Sequence, residues 1–207
     1  AKQASISLRY MGANPILTPV AWMYLELDRP ASEAAGIREA FKDGFAAVVL
    51  DAGLETSRKF VQAKKLVQRV LEMGLNLERV YLCGEAYLSD SMKTYPYAAL
   101  AKICRGGYMP RIYSEVSSAH RKRSAGRVIA KAFKQYELHK SALGYSGSAL
   151  PVLGSSWDGI GRNRMTQDEF EEWCQEVETY SPEFTSVFRA GTMHAFAWPT
   201  FDKLLKT

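Results

Sequence analysis

The sequence predicts an α/β fold, in one domain spanning residues 1–207, with a mostly parallel, open sheet in a three-layer arrangement. Three short apolar runs, at residues 20–27, 45–50 and 79–83, have the length and composition of buried strands. Strands that are apolar on both faces, separated by helices, are typical of parallel βαβ units with right-handed crossovers. An α+β fold with a mixed sheet is the alternative.

Two helices are predicted between these strands. The first covers residues 31–42, with Ser32 as its N-cap and Gly44 as its stop signal. The second covers residues 55–73 and has the clearest pattern in the chain. Apolar residues recur at helical spacing from Phe60 onward, and lysines and other polar residues occupy most of the opposite face.

The second half of the chain is less regular. Residues 92–105 are predicted to be helical, and residues 116–143 suit a long helix. Residues 144–161 are rich in Gly and Ser and indicate a loop around a short apolar run. A Thr-Gln-Asp-Glu capping box begins a helix at residues 166–179. One or two further strands are expected within residues 184–198.

The composition is that of an ordinary globular protein, with 47% hydrophobic and 24% charged residues. The three cysteines, Cys83, Cys104 and Cys174, form no zinc or CxxC motif, so we interpret them as buried thiols in a reducing compartment. The apolar runs are too short to cross a bilayer, and no signal peptide is visible. We therefore expect a cytoplasmic protein with no membrane partner.

Positive charge is concentrated in one stretch, residues 102–140, called here the basic segment. It carries a net charge of +8 in a chain whose total is +5. If the segment is helical, its basic side chains form a stripe that could contact phosphates. The candidate nucleic-acid-binding residues are Arg121, Lys122, Arg123, Arg127, Lys131 and Lys134.

Residues 166–188 form a matching acidic segment, with seven acidic residues and no Lys or Arg. The alternative interpretation of the basic stripe is that the two segments pack against each other. A charged run can also be a solvated face with no partner.

Acidic residues follow the predicted strands where those strands end. Asp51 follows the run at residues 45–50, and Glu85 follows the next strand. Ligands of open α/β sheets bind at the carboxyl ends of the strands, so Asp51 and Glu85 are candidate catalytic acid and base. Asp28 follows the first strand in the same way, and the three carboxylates could together hold Mg²⁺. The alternative is that each acid hydrogen-bonds its own turn.

Other patterns carry less information. The loop between Gly154 and Gly161 could bind an anion with Arg162 and Arg164, but residues 159–164 lack a preceding strand, and a flexible connection is the preferred interpretation. The three histidines, His120, His139 and His194, lie in no motif that predicts a metal site or a catalytic triad.

No motif fixes a reaction, so whether the chain is an enzyme stays open. The leading hypothesis is an accessory protein that contacts nucleic acid through the basic segment, with Mg²⁺-dependent phosphodiester chemistry if the three acids converge. The alternative is a non-enzymatic regulatory or inhibitory protein that binds another protein, including an acidic one. A small-molecule enzyme with its site at the carboxyl edge of the sheet is a third hypothesis, by analogy with the fold.

Overall fold

The structure is a computed structural model of the chain, and it describes residues 19–112, 125–154, 165–187 and 195–204. The strands are β1 Val20–Tyr24, β2 Ala47–Asp51, β3 Val80–Glu85, β4 Gly107–Arg111, β5 Val152–Leu153 and β6 Ser186–Val187. The helices are α1 Pro30–Lys42, α2 Phe60–Leu71, α3 Leu88–Ser91, α4 Tyr97–Leu100, α5 Ala125–Leu143, α6 Gln167–Thr179 and α7 Ala197–Leu204. This alternation of strands and helices confirms the α/β fold class.

The described residues divide into two compact units. The first holds residues 19–83 and 92–107, and the second holds residues 84–91 with the described residues from 108 onward. β3 crosses this division at Cys83. The expectation that the chain is one domain stays a prediction.

The first unit is a parallel βαβαβ arrangement, as predicted. β1 pairs with β2 and β2 pairs with β3, both in parallel, with Tyr24 opposite Asp51 and Asp51 opposite Cys83. α1 and α2 pack against each other. α1 comes so close to β1 that a Cβ on Gly36 would lie 2.9 Å from Cε of Met23, so a larger residue there would displace the end of the methionine side chain. The strands are parallel because a helix connects each one to the next.

The helix begins at Pro30, one residue before its predicted start, but the predicted N-cap is wrong. The N-cap is Arg29, three residues before Ser32, and Pro30 lies in the first turn. Proline suits this position because its fixed φ is already helical and its missing N–H needs no partner. The Glu33 carboxylate instead accepts the backbone N–H of Leu27 at 2.8 Å, which ties the incoming chain to the first turn.

The helix predicted at residues 92–105 is also wrong for most of its length. Only α4 is helical there, and it begins directly after Pro96. The chain then leaves the helix, and the backbone N–H of Gly106 donates to the carbonyl of Val80 at 2.9 Å. The next residues form β4, a strand that the sequence analysis did not predict, because Pro110 lies inside it.

The second unit has parallel strands and, among the described residues, four packed helices, of which α3 contacts α5. β4 pairs with β5 and β5 pairs with β6, both in parallel. α5 packs against α6, and α6 packs against α7. The predicted capping box of α6 is confirmed, with Thr166 and Glu169 each accepting the backbone N–H of the other. The rings of Phe133 and Tyr180 stack with their centroids 4.0 Å apart.

All three cysteines are among the described residues, and they are buried thiols as predicted. Burial raises the pKa of Cys104 well above its usual range. Burial, with a smaller contribution from nearby glutamates, raises the pKa of Cys174 to about 12. Thiols of this kind are poor nucleophiles at neutral pH. Within the part of the chain that the structure describes, no helix is both long and apolar enough to cross a membrane.

Candidate active site

Three successive strands end on ionisable residues. β2 ends at Asp51, β3 at Glu85 and β4 at Arg111. Catalytic side chains of α/β enzymes are commonly found at the carboxyl ends of parallel strands. Asp51 and Glu85 were predicted as candidates from the sequence, whereas Arg111 was not.

Asp51 is a buried acidic residue of the first unit. It is 1% exposed, and the other buried polar residues in the described ranges, Thr56 and Ser91, are uncharged. The indole Nε1 of Trp22 donates a hydrogen bond to Asp51 Oδ2 at 3.0 Å. The backbone carbonyl of Asp51 accepts the N–H of Leu25 at 2.9 Å. Because burying a carboxylate without a donor is costly, the Trp22 hydrogen bond offsets part of that penalty.

Asp28 has a different position and a different partner. Its side chain is mostly exposed and forms an ion pair with Lys59, whose ammonium also donates to the carbonyl of Glu26 at 2.7 Å. Lys59 precedes α2, so this ion pair ties the segment after β1 to the start of that helix. This contact reaches a side chain 31 positions away, so it differs from the alternative interpretation, in which an acid after a strand hydrogen-bonds its own turn.

The structure gives no support to the predicted Mg²⁺ site. In residues 19–112, 125–154, 165–187 and 195–204, no three or more His, Cys, Asp or Glu side chains come together in a group that could hold a metal ion. Asp28, Asp51 and Glu85 are all within these ranges. A Mg²⁺ ion needs converging oxygen ligands, and Asp28 is instead paired with a lysine.

Glu85 and Arg111 form an ion pair in the second unit. Both side chains are largely buried, at 21% and 13% exposure. Tyr108 OH donates to the backbone carbonyl of Glu85 at 2.6 Å, so β4 contacts the end of β3 through two side chains. In the sequence, Arg111 is recognisable only as one of the basic residues of the basic segment. Recognising β4 as a strand would have identified Arg111 as the residue that ends it.

A polar row on α5 fixes the segment that follows β3. The ammonium of Lys131 lies 3.8 Å from the ring centroid of Tyr87, a cation–π contact. One turn later, Gln135 accepts the backbone N–H of Ser89 at 2.8 Å. A further turn along, Nε2 of His139 lies 3.1 Å from Oγ of Ser89. The row therefore positions the residues directly after Glu85.

The structure describes only part of the predicted nucleic-acid-binding stripe. Arg121, Lys122 and Arg123 lie outside the described residues. Arg127 and Lys134 are exposed on α5. Lys131 is half-buried over Tyr87, so it also contributes to packing within the second unit.

The acidic segment lies partly against the basic one. α6 packs on α5 through its buried apolar residues, among them Trp173 and Val177. At the start of α5, Oε1 of Glu172 accepts the backbone N–H of Gly126 at 3.1 Å. A carboxylate there stabilises the positive end of the helix dipole. The acidic helix therefore packs on α5 and caps its N-terminus, while Arg127 and Lys134 are exposed.

The remaining sequence candidates, residues 155–164 of the glycine-rich loop with His120 and His194, lie outside the described residues. No protein-family model matches the chain, and no curated protein is significantly similar to it in sequence. Function must therefore be argued from the site itself.

Proposed function

We propose that this chain is an enzyme that acts on a small polar molecule bound at the carboxyl end of β3, beside Glu85 and Arg111. The observation that carries the proposal is the largely buried Glu85–Arg111 ion pair at the ends of two strands. Ionisable residues in such positions are costly to bury and are often retained for catalysis or binding.

Glu85 is the proposed acid–base group. Its side chain keeps about a fifth of its surface exposed, which leaves room for a substrate hydroxyl or a water molecule to approach. The Tyr108 hydrogen bond to its carbonyl and the α5 contacts to Tyr87 and Ser89 fix the backbone at Glu85 and directly after it. A rigid backbone of this kind suits an acid–base group, which must be held in one position relative to the proton that it transfers.

Arg111 is the proposed binding residue. A guanidinium is always charged and presents its N–H donors in a fixed planar fork. A substrate that carries a carboxylate, phosphate or carbonyl oxygen can accept from this fork beside Glu85. We therefore expect the substrate to be polar and to carry at least one such oxygen.

A panel of chromogenic substrates tests this proposal. It contains p-nitrophenyl esters, phosphates and glycosides, so that one experiment covers three classes of bond. We expect turnover of one class, with kcat lowered by at least about 100-fold in Glu85→Gln, which keeps the shape but removes the charge. Glu137→Gln is the matched control, because Glu137 also pairs with a cation, Lys140, but lies half-exposed on α5. If kcat is the same in Glu85→Gln as in the wild type, Glu85 is not the acid–base group.

Nucleic-acid binding through α5 is the second candidate function. It is favoured by the exposure of Arg127 and Lys134, which the acidic helix leaves uncovered. A salt titration with duplex and single-stranded DNA tests it. Each lost phosphate contact should reduce the slope of log affinity against log salt by about 0.9 for duplex DNA. We expect the double variant of Arg127→Ala and Lys134→Ala to lower that slope by about two.

Arg38→Ala with Lys42→Ala on α1 is the control for charge alone, since both cations are exposed and paired only with Glu39 among the described residues. Equal losses of affinity in the two double variants would show a general charge effect and contradict a binding surface on α5.

A further inference from the structure

We infer that Ser89 and His139 form a nucleophile–base pair, and that the reaction at this site is acyl transfer from a carboxylic ester to water. The inference names the reaction class of the enzyme and so rests on the proposed function. It has its own observation, the 3.1 Å approach of Ser89 Oγ to His139 Nε2.

The geometry of the pair meets the first requirement of serine catalysis. A serine hydroxyl becomes a useful nucleophile when a base lies within about 2.6–3.2 Å to take its proton. His139 lies within this range. Both residues are half-buried, so they are held in place and still open to a reagent.

Each member of the pair is held by its own element. Ser89 is held through its backbone N–H by Gln135, so its hydroxyl is not needed to anchor the segment. Lys131 makes a cation–π contact to Tyr87, two residues before Ser89. His139 belongs to α5, a 19-residue helix, and lies within its last two turns. This arrangement gives the pair the preorganisation that nucleophilic catalysis requires.

The neighbouring serine provides a contrast. Ser91 is buried, and its hydroxyl donates to the carbonyl of Tyr87 at 2.6 Å, a common local bond within one turn. The Ser89 hydroxyl instead meets a side chain that is 50 positions away in the sequence. The difference makes Ser91 a matched control for Ser89.

The proposed reaction has two halves. Ser89 Oγ attacks the ester carbonyl while its proton passes to His139 Nε2, and the bond from the carbonyl carbon to the leaving alkoxide breaks as His139 returns that proton to it. Water then attacks the acyl-serine with His139 again as base. This breaks the bond between the acyl carbon and Oγ, restores the serine and releases the carboxylic acid.

A fluorophosphonate probe tests the pair without a known substrate. In the expected reaction Ser89 Oγ bonds to phosphorus, the phosphorus–fluorine bond breaks, and His139 takes the serine proton as fluoride leaves. Intact mass and peptide mapping of the full chain should show one adduct, on Ser89. Ser91→Ala should label at the wild-type rate, and Ser89→Ala should not label.

His139→Gln separates catalysis from structure. Glutamine can still hydrogen-bond the Ser89 hydroxyl, so thermal unfolding should stay close to wild type while the labelling rate falls by at least about 100-fold. A wild-type chain that does not label, or a His139→Gln chain that labels at the wild-type rate, overturns the inference.

The two proposals can fail separately. Labelling requires Ser89 and His139, whereas the substrate panel requires Glu85. If the probe labels Ser89 and Glu85→Gln has the wild-type kcat, the proposed role of Glu85 is wrong and Ser89 remains the nucleophile. If Glu85→Gln loses turnover and Ser89 does not label, the enzyme stands and acyl transfer through Ser89 is wrong.

Discussion

The indole of Trp22 on β1 donates to the carboxylate of Asp51 on β2, joining two neighbouring parallel strands through their side chains. In the strand register Trp22 lies opposite Val49, two residues before Asp51, so both side chains are on the same face of the sheet. Asp51 is almost fully buried, and this hydrogen bond gives its charge one donor. The stability of the first unit should therefore depend on the pair.

Removing the indole donor should destabilise the protein. In Trp22→Phe the Asp51 carboxylate loses its N–H donor, and a hydrogen bond to a charged group contributes about 1.5–3 kcal/mol. Urea unfolding should show a loss of at least that size, because the smaller ring also loses contacts. Asp51→Asn provides the comparison, since the amide removes the charge. Trp22→Phe should cost less in the Asp51→Asn background, and equal costs in both backgrounds would mean that the two side chains are not coupled.

The Glu85–Arg111 pair should show strong coupling in a double-mutant cycle. Arg111→Leu leaves the largely buried Glu85 carboxylate without its cation, which should cost about 3 kcal/mol of unfolding free energy. Adding Glu85→Leu should recover much of that loss, because two apolar groups need no partner. The cycle is read from urea unfolding of the four proteins. Additive single effects, within about 0.5 kcal/mol, would contradict a close ion pair.

The capping box of α6 gives a prediction for the second unit. Thr166 accepts the backbone N–H of Glu169 through its hydroxyl, and Thr166→Ala removes that acceptor. We expect a loss of about 1 kcal/mol in thermal or urea unfolding. Thr166→Ser keeps the hydroxyl and should unfold close to wild type. A Thr166→Ser protein as unstable as Thr166→Ala would assign the effect to the lost methyl group instead.

Stability should fall in strong alkali because of Tyr136. Burial, with a smaller contribution from Glu137, raises the pKa of this phenol from 10.0 to about 12. The unfolded chain therefore loses the phenolic proton at a lower pH than the folded chain. This contribution to stability is intact below pH 10 and is lost as the pH rises towards 12, by about 3 kcal/mol in all.

Tyr136→Phe isolates this effect. The variant loses the hydrogen bond from the phenol to the carbonyl of Gly147, so it should be less stable by about 1 kcal/mol at pH 8. The difference between the two proteins should shrink or reverse by pH 11.5 in urea unfolding. A constant difference across this range would show that Tyr136 does not titrate differently on folding.

Elements with strong local patterns could be predicted from the sequence. α2 repeats its apolar residues at helical spacing, the run ending at Asp51 is continuous and apolar, and Thr166 begins a capping box. In each case the pattern lies within about a dozen residues. Packing elsewhere in the chain did not override these local preferences.

Features that depend on distant residues could not be predicted in this way. β4 begins at Gly107, directly after Gly106, and has Pro110 inside it, so its strand character depends on pairing with distant residues such as Val152 of β5. The position of Arg111 at the end of a strand depends on the same pairing. His139 lies in no sequence motif, because its partner Ser89 is 50 positions earlier. Lys131 was predicted to contact phosphate, and the structure places its ammonium over the ring of Tyr87.

The most direct test of the central claim is the effect of Glu85→Gln on turnover of the substrate class that the wild-type chain accepts. We expect kcat to fall by at least about 100-fold in this variant, whereas Glu137→Gln should turn over substrate at the wild-type rate. Circular dichroism should show that both variants keep their fold. A Glu85→Gln protein that turns over substrate as fast as wild type would contradict the claim that catalysis takes place at the end of β3.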